Sequence, residues 1–522
     1  MWNDLARFTL LSEPFDQTEC GKYAHVLCVL PKITHLNEIN SYVALDVLHR
    51  ILIRKQMKLK TLSTEIVTGE MPNGALVSWV MPDLTENQGI FSTLELLRKA
   101  LTPLFAEHPQ TLALVLADEL PTEHKRPLAE MLLYVTWLNQ FELPHYHSKK
   151  EKNSPLTHIG LFGLNHTPEI TPNSFIWTQA IAQGNNLCRY LTALPSNELT
   201  PTHYRQKVHH LAKEQGWALT EYDAKQLKKL QAGAFLAVTQ GGNHAGSLMH
   251  LSYKPDNIPP EKTKRLVLVG KGICFDTGGH QLKSARYMQH MNEDMNGSAV
   301  VLGVLYAISV LKLPIQVDAW LAIAQNYLSP EAYKPQDVVT ASNGTTIEII
   351  HTDAEGRMIL ADALAFASGT AKGLKNIHQK AVHHSQPIDL LIDYATLTGS
   401  CMTALGTRYS GIFTKDSQLA HLAYRASRLS GERVSSFPLD DDYDTALKSK
   451  IADVKQCLLE GDADHILAVK FLERFVPKNL PWIHVDLSAS RHEDGLGAVQ
   501  SDITGFGVAW TLYLLQSFCP EN

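Results

Sequence analysis

Two short charged segments, each directly after an apolar run, constrain the fold of this chain most strongly. The first is GKGICFDTGGHQLK, residues 270–283, which follows the apolar run 266–269. The second is HTDAEGR, residues 351–357, which follows the apolar run 347–350. Each run predicts a buried strand, so acids, lysines and an arginine collect at two strand ends. Because such charges are costly to remove from water unless they are paired or bind ions, the sequence favours a metal centre.

The carboxylates in and near these segments suit a pair of divalent cations. Asp353 and Glu355 share a face if their segment is extended, since alternate side chains then point the same way. Asp276 and Asp294 come from the first segment and the residues after it. Four oxygen ligands from two neighbouring strand ends fit two divalent ions better than one tetrahedral zinc. Two ions roughly 3.5–4 Å apart can share carboxylates and hold a bridging water or hydroxide, as in many hydrolases.

Two lysines accompany the acids. Lys271 is expected at the end of its strand, where neighbouring cations would destabilise its ammonium and make a neutral amine ligand reasonable. Lys283 follows the Gly278-Gly279 turn, where it can stay protonated and polarise a substrate carbonyl. Composition alone assigns neither role. A single Asp-x-Glu or a lone lysine is ordinary surface chemistry, and only the combination of both segments favours a functional site.

Both segments resemble the signatures of the leucine aminopeptidase family, the two-metal cytosolic aminopeptidases. The match runs through GKG, FDTGG and TDAEGR to the Leu-Ala-Asp at 360–362. Five other segments resemble family segments as well: 189–201, 333–349, 393–400, 431–434 and 504–508. The resemblance spans residues 173–518 and is highly specific. It implies a leucyl aminopeptidase-type metallo-exopeptidase, which removes the N-terminal residue from peptides with a free α-amine.

The resemblance also implies a role for each matched residue. The implied metal ligands are Lys271, Asp276, Asp294, Asp353 and Glu355, with Asp276 and Glu355 bridging both ions. Lys283 would bind the scissile carbonyl oxygen, and Arg357 would hold a bicarbonate ion as general base for the bridging water. The implied substrate-binding positions are Lys283, Met291, Thr396, Leu397 and Gly399. Lys271 and Asp294 would complete the tightly held site, and Asp353 the exchangeable one.

One residue departs from the family pattern. His351 stands where the family usually has asparagine, directly before Thr-Asp-Ala-Glu. It is not among the implied ligands, although it could alter hydrogen bonding around them. A packed histidine without catalytic effect is the simpler interpretation.

The resemblance implies the cofactors and the assembly too. Two divalent ions per subunit are expected, Mn²⁺ or Zn²⁺, with Mg²⁺ or Co²⁺ also compatible because ligand sets of this kind discriminate weakly. Bicarbonate would act as the catalytic base. The expected partners are peptides with a free N-terminus and other copies of the chain, in a homohexamer built as a dimer of trimers.

Apolar spacing predicts two α/β domains. A chain of 522 residues is too long for one core. Strand-like runs and helical stretches alternate throughout, which favours a mixed sheet covered by helices. The predicted division is a smaller N-terminal α/β domain with an assembly or regulatory role, a helical linker, and a larger C-terminal catalytic domain: residues 1–170, 171–200 and 201–522.

Composition predicts a cytoplasmic protein without a membrane partner. Seven scattered cysteines, odd in number and without a CxxC pair, favour reduced thiols. The first residues lack the basic start, apolar core and cleavage site of an export signal. No apolar run approaches the roughly 18 residues of a membrane span.

Three alternatives stand beside the aminopeptidase. A protein of the same fold that mainly binds DNA would need a basic groove, and the net charge of −6 gives no sign of one. A two-metal phosphoesterase would commonly use histidine ligands, whereas the matched ligands are carboxylates and a lysine. An inactive structural oligomer is disfavoured by the complete ligand set.

Overall fold

The computed structural model describes residues 2–40, 44–84, 89–149, 154–165, 169–256, 258–259, 263–373 and 386–518. Two units can be distinguished within it. The first consists of Met1–Asn186, Arg428–Glu432 and His492–Thr504. The second consists of Leu187–Ser427, Arg433–Arg491 and Gly505–Asn522. Both units are α/β, which confirms the predicted fold class of two α/β domains.

The first unit is built on a six-stranded sheet. Its strands are β1 (Arg7–Leu10), β2 (His25–Val29), β3 (Val67–Glu70), β4 (Leu76–Val80), β5 (Thr111–Leu116) and β6 (His158–Phe162). Their order is β1-β6-β5-β2-β4-β3, and every neighbouring pair is parallel except β3 with β4. The helices are α1 (Gln17–Cys20), α2 (Leu45–Lys55), α3 (Ile90–Phe105), α4 (Thr122–Asn139) and the first part of α5 (Ile176–Thr192).

Alternate side chains of the central strand β2 enter two different cores. Leu27 and Val29 pack in one cluster with apolar residues of α3 and α4. Val26 and Cys28 pack in the other, together with residues of α2. Both faces of the sheet are therefore covered, which is why the parallel strands read as continuous apolar runs in the sequence.

The second unit has an eight-stranded and a three-stranded sheet. Its strands are β7 (Ala218–Tyr222), β8 (Ser247–Tyr253), β9 (Lys264–Asp276), β10 (Ile315–Asn326), β11 (Val338–Thr340), β12 (Thr346–Glu348), β13 (Leu390–Ala395), β14 (Ser410–Phe413), β15 (Val434–Ser436), β16 (Val454–Lys455) and β17 (Trp482–Asp486). The large sheet has the order β15-β14-β17-β13-β9-β10-β8-β7, and the small one β11-β12-β16. In the large sheet, the four central strands β17, β13, β9 and β10 are parallel. This is the predicted mixed sheet.

Helices cover the large sheet. They are α6 (Pro201–Gln215), α7 (Ala224–Lys229), α8 (Gly233–Thr239), α9 (Ala285–Met288), α10 (Asn296–Leu311), α11 (Glu355–Ala367), α12 (Gly399–Leu405), α13 (Ser417–Ser430), α14 (Asp464–Leu472) and α15 (Val508–Phe518). The stretch Ala285–Leu311 is long and apolar enough to cross a membrane by length and composition, but 83% of its most apolar window is buried inside the protein. It is broken after α9, and α10 is a core helix that packs on β9.

Close packing of α10 on β9 depends on Gly270. A Cβ atom at this position would lie 2.5 Å from the Cα of Ser298 in α10, and 2.7 Å from the carbonyl oxygen of Gly297. Real Cβ atoms do not approach other atoms so closely, so only glycine fits without a shift of the helix. The contact brings the start of α10 directly beside the strand that carries Lys271.

Two expectations about the strand ends were wrong. The apolar run 266–269 continues into the thirteen-residue strand β9, so Lys271 lies inside the strand and only Asp276 lies at its end. Of the second run, only residues 347 and 348 belong to a strand, β12, which lies in the three-stranded sheet and is not a neighbour of β9. The two charged segments therefore meet through loop contacts rather than at adjacent strand ends.

Candidate active site

The first charged segment turns sharply after β9. Asp276 ends the strand, and its Oδ1 accepts hydrogen bonds from the backbone N–H of Gly278 at 2.9 Å and from Nδ2 of Asn326 at 2.7 Å. Gly278 has a φ of +86°, and a Cβ there would lie 2.6 Å from the carbonyl oxygen of Gln281. The turn thus requires glycine, and it directs the chain back so that Lys283 lies near Asp276.

The second charged segment is a turn followed by a helix, and not an extended strand as predicted. Asp353 lies in the turn, and Glu355 is the first residue of α11. The carbonyl oxygen of Thr352 accepts from Asn326 Nδ2 at 3.0 Å and from Tyr333 Oη at 2.7 Å. The hydroxyl of Thr352 donates to the carbonyl oxygen of Gly278 at 2.6 Å. These bonds fasten the second segment to the first.

The structure brings the predicted acids and lysines together. Carboxylate oxygens of Asp276, Asp353 and Glu355 all lie within 4.8 Å of one another. Lys271 Nζ is 2.7 Å from Asp294 Oδ1 and 2.9 Å from Glu355 Oε1. The Nζ atom of Lys283 lies 2.9 Å from Asp276 Oδ2 and 2.6 Å from Asp353 Oδ1. The four carboxylates and two lysines form one continuous cluster.

The cluster has more negative than positive charge and is largely buried. Burial raises the pKa of the Asp294 and Asp353 carboxyls above their usual values, and the neighbouring carboxylates add to the effect, whereas the lysines oppose it. Asp294 Oδ2 and Glu355 Oε2 are buried without a hydrogen-bond partner among the described residues. Leaving such oxygens unsatisfied is costly. The cluster therefore fits divalent cations, which would supply the missing positive charge and bind the free oxygens.

A loop after β13 adjoins the Asp294 side of the cluster. The hydroxyl of Thr396 donates to Asp294 Oδ1 at 2.7 Å, and its carbonyl oxygen accepts from Lys271 Nζ at 3.0 Å. Asp486, at the end of β17, accepts from the backbone N–H of Leu397 at 3.0 Å. Of the predicted substrate-binding positions, Thr396 thus contacts the cluster directly. Leu397 and Gly399 follow on the same loop, with Gly399 beginning α12.

Met291 lies three residues before Asp294, in a 3₁₀ turn that spans Met291–Glu293. Its side chain is half-buried. Its predicted role in substrate binding rests on its position in the sequence, three residues before Asp294.

Arg357 has partners of a different kind from those of the two lysines. It lies inside α11 and its side chain is 3% exposed. Nη2 donates to both carboxylate oxygens of Asp464, each at 2.9 Å, and Nη1 donates to the carbonyl oxygen of Gln456 at 3.3 Å. The Asp464 side chain is 39% exposed. An acidic side chain is therefore paired with the guanidinium that the resemblance assigns to bicarbonate.

His351 helps to form the turn before Asp353. Its Nδ1 is 3.2 Å from the backbone N–H of Asp353, and this nitrogen can accept the bond only in the neutral ring. Burial lowers the pKa of His351, and the positive charge of Lys283 lowers it further. Its own backbone N–H donates to Gln456 Oε1 at 3.1 Å. These contacts give the histidine a structural role in the loop.

Four residues of the site were missed in the sequence: Asn326, Gln456, Asp464 and Asp486. Asn326 ends β10 and Asp486 ends β17, so a polar residue at the end of a buried strand could have indicated both. Gln456 accepts from the backbone N–H groups of residues 350 and 351 and donates to the carbonyl oxygen of Ala354. Asp464 comes from the acidic run EGDAD, which has the composition of a solvated loop.

Comparison with known proteins decides which family carries this arrangement. The profile of the cytosol aminopeptidase family, catalytic domain, matches residues 186–512. The chain belongs to the cytosol aminopeptidase family. This confirms the resemblance in the two charged segments and identifies a leucyl aminopeptidase-type hydrolase that depends on metal. Family membership favours the peptidase over the phosphoesterase alternative.

Related sequences and structures agree with this assignment. A "Probable cytosol aminopeptidase" of Chlorobaculum tepidum is 35% identical over 381 residues, which are 73% of this chain and 72% of that protein. A protein of the same name from Legionella pneumophila is 36% identical over 364 residues, 70% of each chain. Some other relatives of this name are matched over less than two thirds of their length, down to 62%.

Two solved structures share the fold over almost the whole chain. A mutant of tomato leucine aminopeptidase superposes with a TM-score of 0.79 at 26% identity, covering 98% of this chain and 97% of that one. The bottromycin maturation enzyme BotP in complex with Mn superposes with a TM-score of 0.76 at 28% identity, covering 95% of this chain and 99% of that one.

Proposed function

We propose that this aminopeptidase hydrolyses the N-terminal peptide bond of peptides with a free α-amine at two divalent cations. The proposed ligands are the five residues of the cluster named above, Lys271, Asp276, Asp294, Asp353 and Glu355. The observation that carries the proposal is the convergence of three carboxylates within 4.8 Å, with a buried Glu355 oxygen lacking a partner among the described residues. When bound, the cations would polarise the scissile carbonyl and acidify the attacking water shared between them.

The two lysines take different parts in this proposal. Lys271 is 3% exposed and contacts both Asp294 and Glu355, so its amine lies among the proposed ligands. As a neutral amine it would add a nitrogen donor to the oxygen set. Burial by itself would lower the pKa of Lys283, but three neighbouring carboxylates raise it overall. Carboxylates raise the pKa of Lys271 in the same way, so the pKa does not distinguish the two lysines. The assignment rests on position: Lys271 would give up its proton to a bound cation, while Lys283 would keep its proton and donate a hydrogen bond to the carbonyl oxygen of the substrate.

The loop after β13 is proposed to bind the first residue of the substrate. Thr396 contacts the cluster, and Asp486 fixes the backbone of Leu397 and the hydroxyl of Thr398 at 3.0 and 2.6 Å. Met291 and Gly399 would complete the pocket for the N-terminal side chain. A rigid loop of this kind offers backbone groups to the substrate without an ordering cost on binding.

Bicarbonate on Arg357 does not fit the residues present. Both oxygens of Asp464 accept from Nη2, and Nη1 is bonded to the carbonyl oxygen of Gln456. We therefore assign no step to bicarbonate.

The metals, the assembly and the location are proposed from the donor set and from the family resemblance. A donor set of carboxylates and one amine suits Mn²⁺ or Zn²⁺, and also admits Mg²⁺ or Co²⁺. The Mn-bound relative supports manganese. We propose a cytoplasmic homohexamer, a dimer of trimers, that acts on peptides and has no membrane partner, with DNA binding disfavoured by the net charge of −6. Sedimentation equilibrium would test the assembly, with six times the chain mass as the expected result.

The activity is tested with Leu-Gly-Gly and its N-acetylated form. Chelated enzyme is assayed alone and with added Mn²⁺ or Zn²⁺, beside the double variant Asp353→Ala, Glu355→Ala. We expect metal-restored cleavage of the free-amine peptide only, and none in the double variant. Glu130→Ala, which removes an exposed acid paired with Arg126, is the matched control and should keep full activity. A folded wild-type enzyme that cleaves no free-amine peptide with any of the four metals would contradict the proposal.

A further inference from the structure

The anion that Arg357 binds is already part of the chain. Asp464 presents both carboxylate oxygens to one guanidinium nitrogen at 2.9 Å. Asp464 is the first residue of α14, and 107 residues separate it from Arg357 in the sequence. The pair is therefore a tertiary contact formed by the fold and not a local helix interaction. Such an arginine–carboxylate pair is charge-assisted and stronger than an ordinary hydrogen bond.

A carboxylate and bicarbonate offer an arginine the same chemistry. Each is a planar, singly charged anion with oxygens that accept from a guanidinium group. The Asp464 oxygens face Arg357, while the side chain is 39% exposed and can be reached by solvent. The Arg357 side chain, in contrast, is 3% exposed. Binding bicarbonate here would require Asp464 to leave, and a second anion beside its carboxylate would be repelled.

We infer that Asp464 supplies, as a side chain, the anionic oxygens on Arg357 that a bicarbonate ion would otherwise supply. The inference rests on the proposed function. It assigns Asp464 as a positioning residue of the site, and it makes this enzyme independent of bicarbonate. The neighbouring contacts hold the arrangement in place, because Gln456 binds Arg357 through its carbonyl oxygen and the 350–354 turn through its side chain.

Two variants of Asp464 separate this role from a merely structural one. Asp464→Ala removes the carboxylate and opens a space of about its size beside Arg357. Asp464→Asn removes the charge but fills the same space. Because Asp464 orients the Arg357 guanidinium, both variants should lower kcat by roughly tenfold or more. Only Asp464→Ala should recover when bicarbonate or formate is added, since only there can the small anion reach Arg357.

The assay measures kcat and KM for Leu-Gly-Gly with the metal-loaded enzyme in buffer freed of carbon dioxide. Bicarbonate or formate is then added, with chloride at the same ionic strength as the control. The wild-type kcat should be the same in all conditions. A wild-type kcat that falls on removal of carbon dioxide and returns with bicarbonate would overturn the inference. Full activity of Asp464→Ala without any added anion would overturn it too.

These outcomes are distinct from failure of the proposed function. If the wild-type enzyme cleaves no free-amine peptide with any metal, the proposed function and the inference fall together. If it cleaves the peptide but requires bicarbonate, the proposed function stands and only the inference falls. Rescue of Asp464→Ala by formate would itself show that this variant is folded. Thermal unfolding of Asp464→Asn, matched to the wild type, excludes a general loss of structure as the cause of its lower kcat.

Discussion

Replacing Asn326 by alanine should weaken both the fold and metal binding, because its amide bonds to both charged segments. Asn326 is almost completely buried at the end of β10. Its Nδ2 donates to Asp276 Oδ1 at 2.7 Å and to the carbonyl oxygen of Thr352 at 3.0 Å. Asn326→Ala removes both bonds and leaves two buried acceptors without this donor.

The magnitude follows from the two bonds. A hydrogen bond to a charged group contributes about 1.5–3 kcal/mol and a neutral one about 0.5–1.5 kcal/mol, so the free energy of unfolding should fall by about 2–4.5 kcal/mol. The thermal midpoint should fall by roughly 3–7 °C, because the entropy of unfolding scales with the size of the second unit. Because residues that orient ligands are typically worth 10–100-fold in metal affinity, the apparent affinity for Mn²⁺ should weaken by roughly that factor.

The assay is activity on Leu-Gly-Gly in metal buffers of graded free Mn²⁺, with thermal unfolding measured on the same samples. Asn185→Ala is the matched control. Asn185 is also a buried asparagine whose Nδ2 donates to a carbonyl oxygen, that of Thr504, but it belongs to the first unit. It should lower the thermal midpoint and leave the Mn²⁺ affinity unchanged. An Asn326→Ala enzyme with wild-type Mn²⁺ affinity would refute the reasoning.

Three further predictions concern residues around the cluster. Lys283→Ala should lower kcat by roughly 10²–10³-fold, as expected for loss of a donor to the developing negative charge, while metal analysis still finds two ions. Asp486→Ala frees Leu397 and the Thr398 hydroxyl, so KM for Leu-Gly-Gly should rise more than kcat falls in steady-state kinetics. Folding lowers the pKa of His351 and so favours its neutral ring. The stability that the neutral ring contributes is therefore present above pH 6.5 and is lost as the pH falls and the ring is protonated. Thermal unfolding of His351→Asn across pH 5–8 should lack this loss, and its activity at pH 7.5 should stay within about twofold of the wild type.

Much of the fold was predictable because the signal is local. The predicted alternation of strand-like runs and helical stretches is present in both units, for example in helix α3 (Ile90–Phe105) and strand β17 (Trp482–Asp486). Apolar spacing within a window of this length reports directly on a buried face. The order of the strands was not predictable, since β17 pairs between β13 and β14 although it comes last in the chain.

The site shows the same division between local and distant information. The convergence of Asp353 and Glu355 was correctly expected, but for the wrong reason, because the segment is a turn entering α11 and not an extended strand. Asn326 bonds to Asp276 although 50 residues separate them in the sequence, and Asp464 bonds to Arg357 across 107 residues. Contacts of that separation depend on the packing of whole elements, which neither spacing nor composition specifies. The resemblance implied a set of ligand positions and a bicarbonate ion on Arg357, but it did not indicate the pairing of that arginine with Asp464.

The contact of Gly270 with Ser298 also affects the spacing between Lys271 and Asp294. Lys271 follows Gly270 in β9, and Asp294 precedes α10, so this one contact sets the separation of two proposed ligands of the same ion. A methyl group at residue 270 would displace α10 and lengthen the Lys271–Asp294 distance while leaving every ligand chemically intact. A change at residue 270 would therefore alter the spacing between these two side chains without replacing either of them.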